Sequence, residues 1–135
     1  MVLRYLLDTN VLSDFVRGEN SVRSRLLETA PADIACSAVS VMEVDHGLAL
    51  APARARRLRP VLDALLAAVT LLPLSVEDAR AAGNLRAALR RRGRPIGPYD
   101  VLIAGAALAR GLVLVTANTR EFARVAGLNL ENWRE

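Results

Sequence analysis

Leu3-Arg4-Tyr5-Leu6-Leu7-Asp8-Thr9-Asn10 decides how the chain is read. A short apolar run stops abruptly at three polar residues, the pattern of a buried strand feeding a turn. The same grammar returns at Leu112-Val113-Leu114-Val115, the clearest buried parallel-type strand, which ends in Thr116-Ala117-Asn118-Thr119. Three further runs read as short strands: Asp33 to Cys36, the connector-like Leu71 to Leu74, and Gly127 to Leu130.

Helical patterns fill the intervals. Val11 to Val16, Ser21 to Thr29 and a segment opened by Ser40 and running to about Leu50 precede a longer helix over Ala53 to Ala68. In that longer helix Leu58, Val61, Leu62, Leu65 and Leu66 are expected to form one apolar stripe. Ser75 followed by Glu77 and Asp78 marks the start of a helix that runs to about Arg92. Val101 to Arg110 is another, closed by Gly111, and Arg120 to Val125 is the last. Strands alternating with helices predict a three-layer α/β/α sandwich. Its sheet is mainly parallel, with about five short strands, in a single domain over residues 1–135.

Composition narrows the chemistry. All eighteen basic residues among the 135 are Arg, giving a net charge of +4, and there is one Cys (Cys36) and one His (His46). Absence of Lys excludes a P-loop lysine or a Schiff base. One Cys and one His cannot build a structural zinc site or a disulfide, and His46 has no nucleophile motif beside it. Carboxylates remain: seven Asp and seven Glu. A basic surface carried by Arg forks suits nucleic acid or an acidic protein partner. No run approaches a membrane span and no signal-peptide pattern opens the chain, so a cytoplasmic protein without membrane contact is expected.

Ligands of parallel sheets bind beyond the carboxyl ends of the strands. That rule brings Asp8, after the first strand, Asp100 and the Asn118/Glu121 turn, after the clearest strand, to one end of the sheet, while Glu43 starts a helix after another strand. Each has a plain alternative. Asp8 fits a helix N-cap. Glu43 lies in Ser40-Val41-Met42-Glu43, a capping-box pattern in which it would reach back to the Ser40 amide. Asp100 satisfies a helix dipole after the rigid Pro95-Ile96-Gly97-Pro98 turn, and Thr119 is the expected cap of the last helix. Asp14, which could approach the same edge, and Asp45 are weaker candidates, and His46 is weaker still. As a group the acids weigh more, since converging carboxylates need protons or a cation, and Mg²⁺, with Mn²⁺ able to substitute, is the usual answer.

Four segments, in order, carry a family resemblance. Leu6-Leu7-Asp8-Thr9-Asn10-Val11-Leu12-Ser13 resembles the opening of PIN-domain nucleases. Ser37 to Val44 resembles their second acidic motif, and Ile96 to Ala104 their third. Val115 to Phe122, with Gly127-Leu128 and Asn132-Trp133, resembles the tail of VapC-type toxins of the FitB-like branch. The resemblance covers residues 4 to 133. It implies a Mg²⁺-dependent endoribonuclease that cuts RNA, the toxin half of a bacterial type II toxin–antitoxin pair.

By motif position, Asp8 and Asp100 would be metal ligands, and Glu43 a ligand or the group that orients water. Thr9 and Thr116 would support the pocket. Many relatives have Asp where this chain has Asn118, which leaves Glu121 as the nearest fourth carboxylate. The resemblance further implies a homodimer silenced by a VapB- or FitA-like antitoxin. Arg86, Arg90, Arg91, Arg92 and Arg94, just before the Asp100 motif, form a patch suited to RNA phosphates or the antitoxin. The competing readings are a degenerate PIN domain that binds RNA or a partner without cutting, and a small-molecule phosphatase. The latter is disfavoured because Asp8-Thr9-Asn10 lacks the second Asp of an Asp-x-Asp motif.

Overall fold

The computed structural model describes residues 2–135. Five strands, β1 (Tyr5–Leu7), β2 (Ile34–Ser37), β3 (Thr70–Leu72), β4 (Val113–Val115) and β5 (Leu130–Glu131), form one sheet in the order β3-β2-β1-β4-β5. Every pairing is parallel. β1 lies in the middle, with Leu6 paired to Ala35 on one side and Leu114 on the other.

Among the described residues seven α-helices cover the sheet: α1 (Thr9–Val16), α2 (Asn20–Glu28), α3 (Ala38–Ala49), α4 (Pro52–Ala68), α5 (Val76–Arg91), α6 (Pro98–Arg110) and α7 (Thr119–Phe122). Strand side chains alternate between two faces, and the core divides accordingly. Leu6, Ala35, Leu72 and Leu114 pack against α5 and α6 through Leu85, Leu89, Ile103 and Ala107. Tyr5, Leu7, Ile34, Cys36 and Val115 face α1 to α4 through Leu12, Val22, Val44 and Leu62, with Trp133 closing that side. This is the three-layer α/β/α sandwich with a five-stranded parallel sheet.

Element ends differ from the sequence reading for local reasons. The helix expected to open at Ser40 begins at Ala38, because the Ser37 hydroxyl accepts from the Val39 amide and caps it two residues earlier. The strand expected at Leu71 to Leu74 is Thr70–Leu72, ended by Pro73, and the last strand lies at Leu130–Glu131 rather than Gly127 to Leu130. α7 stops at Phe122 and is preceded by Asn118, with no side-chain cap, so Thr119 is not the cap. Within α4, Leu58, Leu62 and Leu65 are buried, whereas Val61 is exposed and interrupts the expected stripe. The Ser75 signal holds in full: Ser75 and Asp78 make a reciprocal capping box.

α5 and α6 approach closely at Gly105. A Cβ there would stand 2.7 Å from Ala82, so only glycine fits this crossing without displacing a backbone.

Candidate active site

The centre of the sheet places the first acid. β1 ends at Leu7, and the Asp8 amide continues the ladder by donating to the Val115 carbonyl at 2.9 Å. Asp8 is 3% exposed, and both its carboxylate oxygens are engaged. One accepts from the Thr9 amide at 2.8 Å, so Asp8 does cap α1. The other accepts from the Thr116 hydroxyl at 2.8 Å. The cap and the site are therefore compatible roles of one side chain. Thr116 is also buried and accepts from the Asn118 amide at 2.9 Å, which ties the end of β4 to the loop before α7.

Glu43 does not reach back to Ser40. Because α3 starts at Ala38, Glu43 lies inside the helix, and its carboxylate accepts from the Thr9 hydroxyl at 2.7 Å. The Thr9 and Ser40 hydroxyls are 3.0 Å apart. Thr9 has one proton and gives it to Glu43, so Ser40 donates to Thr9. The capping-box expectation is overturned by that shifted helix start, and Glu43 is joined to Asp8 through the adjacent Thr9.

Asp100 sits in the first turn of α6, positioned by the Gly97-Pro98 entry. A side chain at position 97 would come within 3.1 Å of the Asp100 carboxylate, so glycine leaves this acid its place. The Gly97 amide donates to Glu121 at 3.0 Å, and the Asn118 side-chain amide donates to Glu121 at 2.7 Å. Asn118 thus holds the fourth carboxylate in place rather than supplying one.

The charges act on one another. Burial raises the Asp8 carboxyl above its ordinary range; hydrogen bonds from Thr116 and Thr9 oppose this, and Glu43 and Glu121 add to it. Burial also pushes Asp100 up to about 7, aided by the nearby charges of Asp8 and Glu121 and by a hydrogen bond it shares with Glu121. Glu121 moves the other way. Burial works against its charge, but donation from Gly97, Asn118 and Asp100 outweighs that, and it stays ionised. The two neighbours are thus pushed in opposite directions, Asp100 toward the neutral carboxyl and Glu121 toward the carboxylate. Asp8, Glu43, Asp100 and Glu121 lie near enough at the carboxyl edge for their charges to act on one another, although among the described residues no three of them form a group placed to hold a metal ion.

The weaker candidates fall away, Asp45 because it pairs with Arg59 at 2.8 Å. The Asp14 carboxylate is clasped by Arg134 at 2.6 and 2.7 Å and by Arg17 at 3.2 Å. His46 is exposed near the end of α3. The arginine patch divides. Arg92 donates to the Arg124 carbonyl, and Arg124 in turn donates to the Pro95 carbonyl, which braces the loop before Asp100. Arg86 and Arg90 line a cleft with Pro95, Ile96, Pro98 and Val101, at the mouth of α6. Arg91 and Arg94 are exposed, and among the described residues no carboxylate pairs with any of the five. Sequence reasoning missed Ser40 as a member of the hydroxyl chain and the Gly97 amide as a donor. The signal for the second was present in the rigid Gly-Pro turn.

The sequence pattern of the PIN domain family matches residues 5–128. The chain belongs to the PIN-domain family. Within it, the chain is 38% identical to the tRNA(fMet)-specific endonuclease VapC of Shigella flexneri over 133 residues, covering 98% of this chain and 99% of the relative. The fold matches DNA-bound VapBC from Salmonella typhimurium with a TM-score of 0.89 at 34% identity, covering 98% and 99% of the two chains. VapBC2 from Rickettsia felis, bound to a DNA fragment from its promoter, matches at 0.88 and 30% identity, covering 97% and 99%. The PIN motifs of this chain are thus carried by a fold that matches VapBC structures along nearly all of the chain, and the acids named above lie at its carboxyl edge.

Proposed function

We propose that this PIN-domain protein is a Mg²⁺-dependent endoribonuclease, the VapC toxin of a toxin–antitoxin pair, and that its site is the Asp8–Glu43–Asp100–Glu121 cluster. The observation that carries the proposal is the gathering of four acids, Asp8 at the end of β1 and the others in α3, α6 and α7, two of them with raised proton affinity.

The donor set suits Mg²⁺. Among the described residues no three Asp, Glu, His or Cys groups form a ready chelating cluster. Mg²⁺ asks for less, taking one or two carboxylates and completing its shell with waters and phosphate oxygens. Asp8 and Asp100 would hold it, and Mn²⁺ would substitute. When bound, such an ion activates water and offsets charge on the phosphate oxygens.

The remaining work falls to the protein's own groups. Thr116 and the Thr9 amide fix both oxygens of Asp8. Thr9, backed by Ser40, orients Glu43 to receive a proton at its carboxylate. Gly97 and Asn118 hold Glu121 against Asp100. Arg86 and Arg90, unpaired beside the α6 entry, would steer RNA phosphates, a contribution that weakens as salt rises. The hydrogen bonds that hold Glu121 count against a degenerate, binding-only domain, because they preserve a fourth carboxylate despite Asn118.

A VapB-like antitoxin and a second copy of the chain are the proposed protein partners. Exposed Leu71, Leu74 and Val76, around edge strand β3, are apolar surface open to one of them. The test is cleavage of RNA by purified protein with Mg²⁺. Asp8→Ala and Asp100→Ala should abolish cutting while preserving the circular dichroism spectrum. Cutting by Asp8→Ala at the wild-type rate would overturn the site assignment.

A further inference from the structure

Beside the acid cluster lies a cavity of about 160 Å³ between α1, α3 and α4. Thr9, Ser13 and Glu43 form its polar side, so it opens directly from the Thr9–Glu43 hydrogen bond. Its floor is apolar, made by Leu12, Val44, Leu48, Leu58 and Leu62. Arg17 and Arg54 stand on its wall. Arg17 is committed in part to Asp14, whereas Arg54 is exposed and pairs with no carboxylate among the described residues.

We propose that this cavity is a nucleobase pocket that reads one unstacked base of the RNA next to the bond that is cut. The proposal rests on the ribonuclease reading above. Three properties carry it. A cavity of about 150 Å³ accommodates a single planar ring such as benzene, and an apolar floor with a polar rim is how protein sites take a base removed from its stack. Ser13 and Thr9 supply the hydroxyl rim that can tell base edges apart. The free Arg54 guanidinium can stack on the ring or grip the phosphate beside it. The shared Thr9 and Glu43 fix the distance between the base being read and the acids, so recognition would set where the cut falls.

Gly47 provides the test. It lines the cavity, its backbone φ lies in the ordinary range, and a Cβ built there meets no atom within 4 Å. Gly47→Leu therefore adds bulk at the pocket without straining α3; because Glu43 stands one turn away on the same helix, Mn²⁺ affinity of the variant is measured beside its base preference. A randomised single-stranded RNA library is cut with Mg²⁺ by wild type, Gly47→Leu, Arg54→Ala and Asp8→Asn, and the new ends are sequenced.

Wild type is expected to prefer one base at a fixed position flanking the cut by about tenfold or more, and Gly47→Leu to flatten that preference. Arg54→Ala should keep the preference and raise KM by about tenfold. Gly47→Leu that folds, cuts and keeps the wild-type preference overturns the pocket. If such a variant also loses affinity for the antitoxin, the cavity belongs to the protein partner and the proposal falls as well. Should wild type and Asp8→Asn cut alike, the cutting does not come from the acid site, and the site reading falls together with this inference. Loss of cutting in Asp8→Asn beside an unchanged Gly47→Leu isolates the failure to the pocket.

Discussion

Asp100→Asn should make the metal-free protein more stable, in a way that depends on pH. In the folded chain burial and the neighbouring acids hold the Asp100 proton up to about 7, against an ordinary value of 3.8. The folded state therefore prefers the neutral carboxyl more than the unfolded chain does. That cost is absent at pH values below 3.8, grows as pH rises toward 7, and is constant above. At about 1.4 kcal/mol per pH unit the gap bounds the cost at on the order of 4 kcal/mol.

Glu121, stabilised as the ion by the same hydrogen bonds, returns part of this, and solvent screening removes more, leaving about 2 kcal/mol. An Asn at this position donates to Glu121 at every pH. In urea denaturation followed by circular dichroism, with EDTA present, wild type and Asp100→Asn should be nearly equal at pH 4. The variant should lead by about 2 kcal/mol at pH 8, or roughly 8 °C in Tm. An Asp100→Asn protein no more stable than wild type at pH 8 would refute the account of a cluster strained by its own charge.

Other perturbations follow from particular contacts. Thr116→Val leaves a buried oxygen of Asp8 without its donor and should cost about 1–3 kcal/mol in thermal denaturation while weakening Mn²⁺ binding. Arg134→Ala should cost about 1–2 kcal/mol at pH 7. Because Arg134 holds the Asp14 carboxyl below its ordinary value, that stability is present above pH 3.8 and disappears as pH falls through the depressed value, so the two proteins should converge in acid. Gly105→Val drives a side chain into Ala82 and should lower stability by about 1–3 kcal/mol or more, read from the urea midpoint. Replacing both Arg86 and Arg90 with Ala should weaken RNA binding at low salt and flatten the salt dependence by a slope of about one to two, measured by fluorescence anisotropy.

The fold was legible where hydrophobic pattern decides it. Tyr5–Leu7 and Val113–Val115 read as buried parallel strands because both faces of the sheet are covered, and an apolar run bounded by polar residues has few other meanings. The strand-end rule alone places Asp8 and Glu121 at one edge. Glu43 was harder. Its local sequence is a genuine capping pattern, and only the hydroxyl of Ser37, one turn earlier, moves the helix start and frees Glu43 for Thr9.

Val61 shows the same limit on packing, since a periodic pattern identifies an apolar face but not how far the neighbouring helix extends across it. The role of Asn118 could not be read locally either. Whether it replaces a ligand or holds one depends on Glu121 being folded back within 2.7 Å.

The central claim is that these acids are arranged for a divalent cation, and calorimetric titration of metal-free protein with Mn²⁺ at pH 7.5 tests it most directly. Wild type should show saturable binding that Asp8→Asn abolishes. Absence of binding in wild type, or equal binding in the two proteins, would contradict the account.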